Sequence, residues 1–273
     1  MKDMIIDKID SLPPLPKSVI EIEEFRSLPE KEPLDLLKII EQDPLIITSL
    51  LRVANSAMFG FRSAVETPSR AINLLGINFT ISVALGTVVQ DLIKSDLKPY
   101  GVGIDAFLNS CNLSSTIVNK WLGASNFDLK EELLLPAFLQ ETGKFIIAEL
   151  IVELEKEEEF KEGIAQGKHL ATLERTLVGH SCSTITANIF KHWKLSPNLV
   201  TAIGYVGHPD KAPTGFKEKV QILEIVKILS NLTAPLSDDN VELGLKKCKE
   251  YGLDVAALSA AIEVIKTKIE DEA

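Results

Sequence analysis

Apolar residues along this chain recur at steps of three and four. Leu45, Ile46, Leu50, Val53 and Ala54 sit at helical offsets, and so do Val255, Leu258, Ile262, Ile265 and Ile269, a spacing that lines one face of an amphipathic α-helix. No segment alternates with period two for long enough to demand a sheet. Asp43-Pro44, Thr67-Pro68 and Ser196-Pro197 each place a capping oxygen before a proline whose missing N–H costs nothing in the first turn. Three helices are predicted to begin there. Gly60, Gly76, Gly123 and the Gly101/Gly103 pair fall between periodic segments, where left-handed backbone or tight turns are expected. The pattern predicts an all-α fold.

Three stretches depart from simple amphipathicity. Residues 71–90 carry no charge between Arg70 and Asp91, but Asn73, Gly76, Asn78, Thr80, Ser82 and Thr87 lower their apolarity and Gly76 ends a helix. A buried core helix is expected there, with no membrane span. Residues 11–16 (Ser-Leu-Pro-Pro-Leu-Pro) form an extended spacer after a short first helix. Their P-x-x-P spacing would suit a polyproline reader, but a rigid linker packed by its own leucines needs no such partner. The acidic run 153–162, punctuated by Leu154 and Phe160, reads as a solvated helix face.

Composition narrows the class further. With 273 residues, 45% of them hydrophobic and only 6% aromatic, the chain can bury a large aliphatic core. Its formal net charge of -10 opposes binding to a phosphate backbone or an anionic lipid surface, so no nucleic-acid partner is expected. Cys111, Cys182 and Cys248 are odd in number, far apart and outside any C-x-x-C arrangement. That suggests neither a disulfide framework nor a zinc ribbon, and it fits a reducing cytoplasm. Residues 1–10 mix Lys and Asp with Ile and do not read as a signal peptide.

Leu12-Pro-Pro-Leu-Pro16, then Asp43-Pro44, then Leu51-Arg-Val-Ala-Asn-Ser56 with Phe59-Gly60, then Ala71-Ile72 and Leu74-Leu75-Gly76, appear in that order. This succession resembles the N-terminal half of HDOD domains (HD-related output domains). Leu139 to Ile147 with Gly143-Lys144, and Trp193 with Pro197 and Ala202-Ile203, extend the match to about residue 209. The resemblance implies an N-terminal helical bundle over about residues 1–100, packed on an HD-like bundle over about 101–209. Residues 210–273 match no pattern and read as helices closing the bundle. The signature residues Asp43, Pro44, Asn55, Ser56, Gly60 and Gly76 have local structural roles: capping, turning and, for Asn55, bonding its own backbone.

Catalytic HD phosphohydrolases hold metal ions with histidines and aspartates on facing helices, and the metal activates a water against a phosphate ester. Where they carry the His-Asp pair, this chain has Gln140-Glu141. The helix of the first histidine reads Phe107-Leu-Asn-Ser-Cys111, which puts Asn109 or Ser110 near that slot. A later histidine slot falls on Cys182, with His180 displaced by two residues, although a small shift would restore it. On a helix, that spacing turns a Cys182–His180 pair apart. His208 stands alone near a further position, and His169 and His192 lie outside these slots.

The resemblance therefore implies a bacterial regulatory module without catalytic residues, metal or other cofactor, acting by contact with signalling proteins that the sequence does not identify. On that reading the vacated metal pocket is ordinary core. The alternatives are a divergent phosphohydrolase acting on a nucleotide or cyclic dinucleotide through Glu141, His180 and His208, and a small-ligand sensor using the vacated pocket.

Overall fold

The computed structural model describes residues 2–271 apart from Ala57, Arg62 and Lys94. Among the described residues there are sixteen α-helices, two short 3-10 turns and no strand. The first six helices are α1 (Lys2–Asp10), α2 (Lys17–Arg26), α3 (Pro33–Ile40), α4 (Pro44–Ala54), α5 (Pro68–Leu75) and α6 (Ile77–Ile93). The predicted caps are formed. Asp43 Oδ1 accepts from the Leu45 amide at 3.0 Å, Thr67 Oγ1 from Arg70 at 3.3 Å, and Ser196 Oγ from Leu199 at 3.3 Å.

The uncharged stretch breaks at Gly76, whose φ of +83 ends α5. Helix α6 then runs through the centre with Phe79 to Val89 buried on all sides, the condition under which a helix loses its polar face. It packs on α2, α4, α5 and α8. No helix among the described residues is long and apolar enough to cross a membrane. Gly60, Gly76 and Gly101 take positive φ and Gly123 lies in the turn after α7 with φ −58, whereas Gly103 is extended (φ −92).

Asn55 does more than cap its own helix. Its Nδ2 donates to the carbonyls of Leu51 (2.8 Å) and Val65 (2.9 Å), and its Oδ1 accepts from the Val65 amide (2.8 Å). It thereby clamps the α4–α5 connection to the end of α4. The proline spacer is held by Trp193, whose Nε1 donates to the Pro13 carbonyl at 3.0 Å. The acidic run is not one helix face, because it crosses the end of one helix, a turn with Glu155 at φ +56, and the start of the next.

The second half comprises α7 (Ile104–Leu122), α8 (Phe127–Leu139), α9 (Lys144–Glu153), α10 (Glu157–Ala165), α11 (Leu170–Val178), α12 (Cys182–His192) and α13 (Pro197–Gly204). Helix α1 packs on α9 and α12, with Lys8 paired to Glu149 (3.2 Å) and Glu153 (2.9 Å). The C-terminal helices α14 (Lys217–Leu229), α15 (Asp238–Glu250) and α16 (Val255–Glu270) follow. Helix α14 lies on α7, α8 and α13, and α16 lies on α7. One continuous apolar cluster runs from Ile5 to Ile265.

Gly86 fixes how closely α6 meets α8, since a β-carbon there would stand 2.1 Å from Phe138 Cε1. Gly86→Ala is therefore expected to overpack this contact and to lower stability by about 1–3 kcal/mol in urea denaturation, and Phe138→Leu in the same chain to restore part of that loss.

Candidate functional site

The turn between α8 and α9, residues 140–143, is pressed against α12. The Gly143 amide donates to Thr186 Oγ1 at 2.8 Å, and a β-carbon on Gly143 would lie 2.6 Å from the Cys182 carbonyl oxygen. Only glycine allows this approach, which brings Gln140, Glu141 and Lys144 beneath the start of α12.

Four charges converge there. Lys144 Nζ lies 2.8 Å from Glu141 Oε2 and also contacts Glu174 Oε1 of α11. Lys227, from α14, pairs with Glu141 Oε1. This is an ion contact, not an aligned hydrogen bond. Tyr100 donates its hydroxyl to Glu174 Oε1 at 3.0 Å. Lys144, Glu141 and Glu174 are 2%, 6% and 0% exposed.

Burial alone would keep the Glu141 carboxyl protonated, but the Lys144 and Lys227 ammoniums more than reverse this and hold it at about 2. Burial opposes the Lys144 charge as well, and Glu141 and Glu174 outweigh it, so its pKa is raised. Lys227 is raised too, with burial offset by Cys182 and Glu141. Two carboxylates and two ammoniums thus form a neutral, mutually ionised cluster.

The expected positions separate into two groups. Glu141 belongs to the cluster, and Gln140 precedes it, fully buried with neither side-chain polar atom hydrogen-bonded. Cys182 borders the cluster, its thiol 3.9 Å from the Gln140 carbonyl oxygen and pushed up to about 12 by burial. It is a protonated thiol at neutral pH. Cys182 opens α12, whereas His180 precedes its Ser181 cap and is not on the helix. The helical-spacing argument against a Cys182–His180 pair therefore does not apply.

Asn109 and Ser110 are not at the cluster. Asn109 is exposed, and Ser110 Oγ donates to the Ser230 carbonyl at 2.6 Å. Cys111, the next residue on α7, is buried, and its thiol pKa is raised by burial and then by the Glu141 charge.

The vacated pocket is not ordinary core. A cavity of about 250 Å³ stands over Glu141, Lys144, Cys182 and Lys227, and His169 and His208 line it together with Arg175 and Lys247. Partial burial holds the His169 imidazole below its usual value. Lys247 is raised, because a Glu224 hydrogen bond at 2.8 Å outweighs its own burial.

The metal implied by HD ancestry does not fit these residues. Both Glu141 oxygens face ammonium groups, Cys182 is protonated, and an amide stands beside Glu141. Among the described residues no three His, Cys, Asp or Glu side chains are grouped to share an ion.

Lys227, Glu174 and Tyr100 escaped the sequence reading, and His169, set outside the ligand slots there, lines the cavity. Glu174 left a signal: it stands three and four residues from Leu177 and Val178 and four from Leu170, a charge on the apolar face of α11. Lys227 left a weaker one, a lone cation between Ile225-Val226 and Ile228-Leu229.

The architecture is that of the HD-like helical folds. The chain belongs to the HDOD family, whose domain model matches residues 12–209. A virulence factor of Campylobacter jejuni is 26% identical with TM-score 0.56, covering 95% of this chain and 93% of that one. A candidate phosphohydrolase of Shewanella amazonensis gives TM-score 0.69 at 20% identity, covering 97% and 95%. A candidate signal transduction protein of Marinobacter aquaeolei also gives 0.69, at 17% identity, covering 98% of this chain and 62% of that one. A Treponema pallidum protein described as uncharacterized is 34% identical over 90 residues; the match spans 32% of this chain and 18% of that protein's length.

The cluster generates a pH dependence. Glu141 titrates at about 2 when folded against an ordinary 4.5, so its contribution of about 3 kcal/mol is complete above pH 4.5 and is lost as pH falls toward 2. In urea unfolding at pH 7, Lys227→Met is expected to cost on the order of 3 kcal/mol by leaving Glu141 under-neutralised. Glu141→Gln in the Lys227→Met background should recover much of that loss and flatten the acid limb.

Proposed function

We propose that this HDOD chain is a non-catalytic regulatory module of bacterial signal transduction, acting by contact with another protein. The observation that carries this reading is the pairing of Glu141 with both Lys144 and Lys227. In an HD phosphohydrolase the carboxylate of that slot binds a metal that activates water. Here two ammoniums supply the counter-charge, and an ammonium has no open coordination position on which water could be polarised. The thiol beside them is not an ionised nucleophile, since Cys182 is held at about 12.

The surface supports contact. Ile20, Leu28, Leu34, Leu45 and Leu74 are large exposed apolar side chains on α2 to α5 and their connections, and of these helices α4 and α5 carry residues of the family signature. Apolar side chains presented by helices are what a docking partner buries. The likeness to a candidate signal transduction protein agrees with this reading.

The second reading, a divergent phosphohydrolase, is favoured by the cavity over Glu141 and by the likeness to a candidate phosphohydrolase. The two are separated by incubating the purified protein with magnesium, manganese or ferrous iron and a panel of nucleotides, cyclic dinucleotides and phosphomonoesters. The expected outcome is no phosphate release that Glu141→Gln abolishes. Metal-dependent release lost in that variant overturns the proposal.

Substitutions provide a further check. Gln140→Leu removes a buried amide without partners, and is expected to melt at or above the wild type. Both it and the exposed His208→Ala should complement a deletion strain fully. A variant that melts like wild type yet loses its cellular output would make the pocket, and not the outer surface, the working site.

A further inference from the structure

A second cavity, of about 550 Å³, opens between α7, the end of the signature helix α4 and α16. Its walls are mainly apolar, with Met58, Leu113, Leu236 and Ile269 among them. Two of the buried polar atoms among them lack hydrogen-bond partners. Asn112 is only 4% exposed, and its Oδ1 is buried without a hydrogen-bond partner. Ser56, of the Asn55-Ser56 signature, has a buried Oγ likewise without one. Both line this cavity.

The wall formed by the α14–α15 connection is firmly built. Asn231 Oδ1 accepts from the amides of Thr233 (3.0 Å) and Ala234 (3.2 Å), and Ser110 Oγ and Ser114 Oγ bond Ser230 at 2.6 and 2.7 Å. The rim carries one charge of each sign, Lys266 and Glu270, and Lys266 is engaged by Asp238 at 3.2 Å.

An apolar chamber with a few convergent polar atoms is how a small-molecule site is made, and a buried acceptor without a donor is an unmet cost that a ligand can relieve. We propose that this cavity binds a small neutral molecule with an apolar body and one hydroxyl or N–H donor, which hydrogen-bonds Asn112 Oδ1 and Ser56 Oγ. An anionic ligand is disfavoured because Lys266 is engaged by Asp238 and the other rim charge, Glu270, is negative, and the apolar walls disfavour any charged body. The site is separate from the buried ionic cluster and independent of whether that cluster is catalytic.

The test uses the full chain, with 1-octanol and 1-methoxyoctane as probes, read by ¹H–¹⁵N NMR. Saturable shifts are expected at Asn112, Leu113, Leu236 and Ile269, with the alcohol binding roughly tenfold more tightly than the ether because only the alcohol donates a hydrogen bond. Asn112→Leu should melt no lower than wild type and should equalise the two affinities. Ile269→Trp, at a side chain that is 41% exposed, should weaken both probes by narrowing the mouth. Absence of saturable shifts at these residues, or equal affinity for alcohol and ether in the wild type, overturns the proposal. If Asn112→Leu fails to fold, the wild-type ratio and the Ile269→Trp variant still decide.

Discussion

The pairing of Lys144 with Glu141 and Glu174, completed by Lys227, constrains the rest of the molecule. Removing ions from water costs several kcal/mol each, and the attraction among them offsets this only while every partner stays in place. The α8–α9 turn, α11 and α14 each supply at least one of these charges, and the 3-10 turn at Lys98–Tyr100 adds the hydroxyl bonded to Glu174. Their relative positions are thereby fixed more tightly than aliphatic packing alone would fix them. The closeness at Gly143, which would not admit a β-carbon, is the local expression of that constraint.

Helix α14 consequently does more than close a bundle. The family match ends at residue 209, and within that span the cluster holds Glu141, Glu174 and Lys144, a buried excess of one negative charge. Lys227, beyond the matched span, neutralises it. A divalent ion in the same place would supply more charge and could polarise water. A lysine supplies one charge and saturates its own hydrogens on its neighbours.

The helices were legible because their signals are local. The three- and four-residue apolar steps, the Asp-Pro, Thr-Pro and Ser-Pro starts and the break at Gly76 all depend on a few neighbouring residues. Gln140, Glu141 and Cys182 were singled out through motif order, and the structure brings them together at the α8–α9 turn and the start of α12. Asn109 and Ser110 lie away from the cluster; each residue along a helix rotates the side chain by roughly 100°, so an offset of one or two residues changes which face is read. Cys111 is on the face that counts. Lys227 and Glu174 could not be paired with Glu141 from the sequence, since their partnership exists only once helices distant in the chain have packed.

The α14–α15 connection relates the two cavities. Leu232 lines the wall of both the chamber above the ionic cluster and the apolar chamber beside Asn112. Ser230, two residues earlier, is bonded to α7, and Lys227 lies one turn before that on the same helix. A shift of this connection therefore moves a wall of the apolar chamber and the base of the lysine that neutralises Glu141 together. Because the cluster tolerates little displacement without stranding a charge, the connection has few positions open to it, and a packed segment with few permitted arrangements is the kind of element that can pass a state between sites. The signature segment at Ser56, helix α7 and the C-terminal helices thus meet around one connection, so that none of them shifts there without the others.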